Sequence, residues 1–119
     1  MADWADVVTN AQALPGVEEA VSYGEPSLKV GRSLLTRLRQ ADQSIVLLDV
    51  VFEEREMLLA AEPELFFLEQ HYRDYPIVLA RLAPMELSRV QVLLERRWRN
   101  VAPRKLVRQH DAMKAGHRP

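Results

Sequence analysis

The side chains best placed to do chemistry in this chain are six cations near its C-terminus. Arg96, Arg97, Arg99, Arg104, Lys105 and Arg108 fall within thirteen consecutive residues. A guanidinium meets phosphate oxygens in a bidentate fork, and a cluster of such groups binds a polyanion by displacing its counterions. The pattern therefore points to nucleic acid, DNA first, held by backbone contacts that position a protein without reading sequence. No homeodomain, zinc-finger or RNA-recognition signature accompanies it, so base-specific readout has no support. The same residues also admit a structural reading. Arginine at a helix C-terminus complements the dipole, and its stem covers apolar surface.

A second constellation is His71-Tyr72-Arg73-Asp74-Tyr75-Pro76. Its aromatics and Arg73 could stack on bases or hold an anionic ligand, which places Tyr72 and Arg73 at the edge of the same interface. The alternative is a rigid connection with tyrosine rings packed on a sheet edge. Tyr23-Gly24-Glu25-Pro26 reads as a turn elsewhere on that surface. Catalytic and metal chemistry find little footing. No GxSxG elbow surrounds a serine, the four glycines lie far apart, and the three histidines lack HExxH spacing. Glu18-Glu19 and Glu53-Glu54-Glu56 are most simply solvated faces. A non-enzymatic protein with no cofactor and no metal is expected.

Charge sharpens the first reading. Residues 89–119 carry nine basic and two acidic side chains, net +7, whereas residues 1–88 carry seven basic and fifteen acidic ones, net −8. Such a bipolar chain suits a polyanion. It equally suits a protein-interaction module whose acidic body and basic end are complementary surfaces. At 119 residues the chain is long enough for one core without staples, and it has no cysteine. Asp3 and Asp6 stand where a secretion signal needs cations, and no apolar run approaches the roughly 20 residues of a membrane span. A cytoplasmic monomer without membrane contact is expected.

The elements that must position these residues follow from periodicity. Trp4, Val7, Val8, Ala11 and Leu14 mark a short amphipathic helix ended by Pro15-Gly16. Alternation around Leu28–Val30, Leu34–Arg39 and Ile45–Leu48, with tight turns at Gly31-Arg32 and Ala41–Gln43, gives a three-stranded meander. A helix opened by Glu53, Glu54 and Glu56 buries Met57, Leu58 and Ala61 and stops at Pro63. Leu65–Leu68 and Ile77–Leu82 read as two further strands. From Met85 a helix buries Leu87, Val90, Leu94, Trp98 and Val101, with Arg89 and Arg96 pointing away. Trp98 and Trp4 are core residues. Pro103 breaks that helix and starts another over 104–110, and 111–119 reads as a frayed tail. One domain over 1–110 results, of α+β class: a single antiparallel sheet of about five strands with helices packed on one face.

Four segments, ALPGVEEAVSYGEPSLKVG at 13–31, FEEREMLLAAEPELFF at 52–67, HYRDYPIVLARL at 71–82 and ERRWRNVAPRKLV at 95–107, together resemble the MmcQ/YjbR family of small bacterial proteins. The resemblance implies a CyaY-like (frataxin-like) architecture, and it implies DNA binding, the label that family commonly carries. The iron-binding acidic surface of frataxins does not carry over, because the acids here are dispersed.

Overall fold

The chain must hide a strongly apolar set of alternating residues, and it does so with one sheet sealed on one side by helices. A computed structural model describes residues 1–116. Six strands, β1 (Val17–Ser22), β2 (Glu25–Val30), β3 (Ser33–Arg39), β4 (Ser44–Leu48), β5 (Phe66–Phe67) and β6 (Ile77–Arg81), pair antiparallel in the order β1-β2-β3-β4-β6-β5. The helices are α1 (Trp4–Ala11), α2 (Phe52–Ala61), α3 (Leu87–Val101) and α4 (Arg104–Gly116). The expected α+β class is observed, with six strands rather than five.

The added strand is β1. Only Val17 of its six residues is buried, so this edge strand shows little of the alternation that identifies a half-buried one. Local turn chemistry forms it: Tyr23 and Gly24, both at positive φ, make a two-residue loop between Ser22 and Glu25. The Gly31-Arg32 turn forms as expected, with Gly31 at φ +60°. Strand β5 shrinks to two residues.

Leu28, Val30, Leu38, Ile45, Leu47, Phe66, Val78 and Ala80 face the helices, where they meet Val7 and Ala11 of α1 and Val90, Leu94 and Trp98 of α3. Trp98 is fully buried, and its indole N–H donates to the Pro15 carbonyl at 2.9 Å, which ties α3 to the turn after α1. Two helical expectations are corrected. In α2, Met57 and Ala61 are exposed; the buried positions are Leu58 and Arg55. Beyond Pro103, the helix does not stop at His110 but continues through Gly116, held by Arg99 and Glu95 of α3, which pair with Asp111 and Lys114. Residues 117–119 of the expected tail lie outside the described residues.

α4 also packs through Leu106, Val107 and His110, whose ring meets Trp98 edge-on with centroids 5.0 Å apart. Gly16 sits at φ +80°, and a Cβ there would lie 2.7 Å from Leu106 Cδ1. Gly16→Ala is expected to lower stability by about 1–3 kcal/mol from backbone strain, plus the cost of moving the Leu106 side chain aside. Gly24→Ala, also at positive φ but with nothing within 4 Å, isolates the backbone part. Urea denaturation of both variants checks this: equal losses would mean that Leu106 does not press on Gly16.

Candidate functional site

The basic C-terminal segment is mostly paired within the chain. Arg89 forms a bidentate pair with Glu62 at the end of α2. Arg96 Nη1 donates to Glu54 at 2.9 Å, and Arg97 donates to Asp49 and to the Leu34 carbonyl, each at 2.9 Å. Arg99 bridges Glu95 at 3.0 Å and Asp111 at 2.7 Å. Three of the six cations expected to meet a polyanion thus join α3 to α2, β3, the segment after β4, and α4. Neither Arg89 nor Arg96 points free into solvent. Arg104, Lys105 and Arg108 remain exposed on the first turns of α4, without an ion pair among the described residues. Arg99, Arg104 and Arg108 border a shallow groove of about 350 Å³ with Ala102 and Val107.

The second constellation is organised by a residue that the sequence reading did not single out. Arg55 of α2 is 4% exposed and donates to the carbonyls of Tyr75 (2.7 Å), Arg73 (2.9 Å), Ile77 (3.3 Å) and Tyr72 (3.4 Å). The Tyr72 and Tyr75 carbonyls also accept the Tyr75 and Ile77 N–H groups; the guanidinium adds a second donor to each and supplies one to the Arg73 carbonyl. The loop is thereby folded over the sheet face that the helices leave open. A single 3-10 turn, Gln70–Tyr72, aims Tyr72 at β3, where Arg37 Nη2 donates to its hydroxyl.

Under the loop lies a groove of about 630 Å³. Its floor is Leu34, Val46, Leu48 and Ile77, and its walls are Tyr23, His71, Tyr72, Tyr75 and Arg37. Strand parity puts Val46, Leu48 and Ile77 opposite the helix-facing Ile45, Leu47 and Val78. Leu34 joins them through a bulge. Lys29 pairs with Leu34 but Leu28 with Thr36, so Leu35 is the extra residue that turns into the core. The Tyr23 turn and the His71–Pro76 loop share this groove. Arg73, grouped with them on sequence grounds, does not line it; its side chain is exposed and its carbonyl serves Arg55. Arg37 and Tyr23 line the groove although sequence reasoning assigns neither to a site: Tyr23 reads only as part of a turn, and alternation along β3 is the only signal for Arg37.

Among the described residues, no cluster of histidine, aspartate and glutamate could hold a metal ion, and no helix is long and apolar enough to cross a membrane. The molecule is an α+β module with one helix-covered sheet face and one face carrying an arginine–aromatic groove. It is 30% identical over 121 residues to the uncharacterised proteins Rv2570 of Mycobacterium tuberculosis (strain H37Rv) and Mb2600 of Mycobacterium bovis, spanning 90% of this chain and 94% of theirs. The chain belongs to the family of these mycobacterial proteins. No family model and no solved structure matches it.

Two outcomes are expected. Arg55→Met should cost on the order of 3 kcal/mol by removing the donor to the Arg73 carbonyl and the second donor to those of Tyr72 and Tyr75, and Arg55→Lys should recover little, because one ammonium cannot span them. Urea titration of both variants tests this, and full recovery by lysine would show that charge alone suffices.

The second outcome concerns pH. Hydrogen bonds from Arg89 hold Glu62, and those from Arg99 hold Asp111, below the ordinary carboxylate range. At Asp49 and Glu95 burial pushes the other way, but Arg97 with Asn100, and Lys114 with Arg99, outweigh it. With folded values below unfolded ones, the unfolded chain binds protons first on acidification. The stability from these pairs is therefore complete above the ordinary values of 3.8 and 4.5 and lost as pH falls through the lower folded ones. The urea midpoint should stay level down to about pH 5.5 and fall below about 4.5. Glu62→Gln should be less stable at pH 7 and show a shallower acid limb.

Proposed function

We propose that this protein is a non-enzymatic DNA-binding module of MmcQ/YjbR type, making sequence-nonspecific phosphate contacts from the corner where α3 meets α4. The observation that carries the reading is the set Arg104, Lys105 and Arg108. These are exposed cations, free of ion pairs among the described residues, on the first turns of a helix whose N-terminal N–H groups also favour an anion. Arg99 borders the same groove with its charge shared between two acids. Arg96 and Arg97 hold α3 to the body and so fix where the corner points. Resemblance of the four sequence segments to the MmcQ/YjbR family supports the choice of DNA over other polyanions. The protein-interaction alternative rests on complementary acidic and basic surfaces, and here three basic side chains of α3 are already paired with acids of the same chain.

Salt dependence separates three contacts from six. Three phosphate contacts give a log–log slope of about −2.7, or roughly forty-fold weaker binding between 50 and 200 mM salt; six would give about −5.4 and more than a thousand-fold. Fluorescence anisotropy with duplex and single-stranded DNA is expected to show the smaller slope. Arg104→Ala/Lys105→Ala/Arg108→Ala should abolish binding at low salt and leave thermal stability unchanged, while Arg96→Ala should lower stability and leave the slope alone. No binding at low salt, or a triple variant that binds like the native chain, would overturn the proposal.

A further inference from the structure

We infer that the groove on the open sheet face is a binding site for a small planar aromatic anion. Its volume of about 630 Å³ falls within the range of small-molecule sites, which are mostly apolar with a few fixed polar groups. The floor is aliphatic and the walls carry three tyrosines and a histidine. Two of those rings, Tyr23 at 89% exposure and Tyr75 at 57%, stand in water at the rim. Exposed aromatic faces beside an apolar floor suit a flat ring, which can stack on them and displace water.

The sign of the ligand's charge comes from Arg37. Arg37, Arg39, Arg55, Arg89, Arg96 and Arg97 are the described arginines that are at least partly buried. Arg39 pairs with Asp42 and Glu69, Arg89 with Glu62, Arg96 with Glu54, Arg97 with Asp49, and Arg55 has its carbonyls. Arg37 has neither. Its contacts are the Tyr72 hydroxyl and the Tyr23 ring, whose centroid lies 5.0 Å from the guanidinium carbon, and its buried Nε has no hydrogen-bond partner. No carboxylate lines the groove. A guanidinium drawn partly out of water without a counter-charge gains more from an anion than one already paired. One acid group on the ring therefore completes the match: the ring on the tyrosines, the acid on Arg37.

Carboxylates and phosphate monoesters share this chemistry, and titration calorimetry on the full chain distinguishes them. The probes are 2-naphthoate and adenosine 5′-monophosphate, with 2-naphthamide as the neutral control. At least one anion is expected to bind with a Kd below about 1 mM, at least about tenfold more tightly than the amide. Whichever anion wins names the acid group. Arg37→Gln, which keeps a donor for Tyr72, should weaken that anion about tenfold or more and remove its advantage over the amide. Tyr75→Ala, at an exposed position that does not threaten the fold, should weaken both anion and amide severalfold. The α4 triple variant should bind the anion unchanged, which separates this site from the DNA-binding corner. Equal binding of anion and amide, no saturation by either anion at millimolar concentration, or full affinity in Tyr75→Ala would overturn the inference, even if Arg37→Gln failed to fold.

Discussion

The buried guanidinium of Arg55 is the constraint on which the open side of the molecule depends. A charge this far from water survives only when its hydrogen-bonding capacity is met. Here both Nη groups are met by main-chain oxygens of the Tyr72–Ile77 segment, while Nε is left without a partner and Glu56 comes no closer than 4.0 Å. The dependence is mutual. The segment has only turn hydrogen bonds of its own, Tyr75 N–H to Tyr72 and Ile77 N–H to Tyr75 among them, and without Arg55 the Arg73 carbonyl would lose its donor. Because α2 carries the guanidinium and the sheet carries Ile77, one side chain fixes the helix, the loop and the strand relative to one another. Tyr72 and Tyr75 reach the groove with its help, together with the 3-10 turn and the Arg37 hydrogen bond.

The division of charge along the chain has an explanation of the same kind. Three acids of residues 1–88 are counterions for three bases of residues 89–119, and Arg99 and Lys114 are paired within the basic segment itself. Glu54 of α2, Glu62 at its C-cap and Asp49 after β4 meet Arg96, Arg89 and Arg97 of α3. Partly exposed pairs of this sort add little stability one by one. As a set they select the rotation of α3 on the sheet, since turning the helix would leave several half-buried arginines unpaired at once. What remains for an outside partner is the short cationic surface of α4, not the whole basic segment.

Amphipathic periodicity made α1, α3 and the inner strands legible, because Leu94, Trp98, Ile45 and Val78 repeat at spacings that only one burial pattern satisfies. Strand β1 and the extended α4 were illegible for one reason: both are held by contacts outside their own pattern, β1 by a turn and a neighbouring strand, α4 by Arg99 and Glu95. The groove was half legible. The chemical variety of His71–Pro76 marked that loop, yet nothing local in the sequence says that Arg55 binds it or that Arg37 lies beneath it. Long-range polar contacts leave no period to read.

The bulge in β3 is where the two faces of the sheet communicate. By inserting Leu35 it brings Leu34 to the groove floor, against the alternation that would otherwise group Leu34 with Thr36 and Leu38. A bulge takes backbone groups off the ladder, and the Leu34 carbonyl is claimed from the helical side by Arg97 Nε. Arg97 thus sits in the basic segment, faces Asp49, and bears on the shape of a cavity across the sheet. A loss of charge at Arg97 would act through the seating of Leu34 as well as through α3. The basic helix that first suggested a binding surface is, at this position, part of the scaffold that shapes a different one.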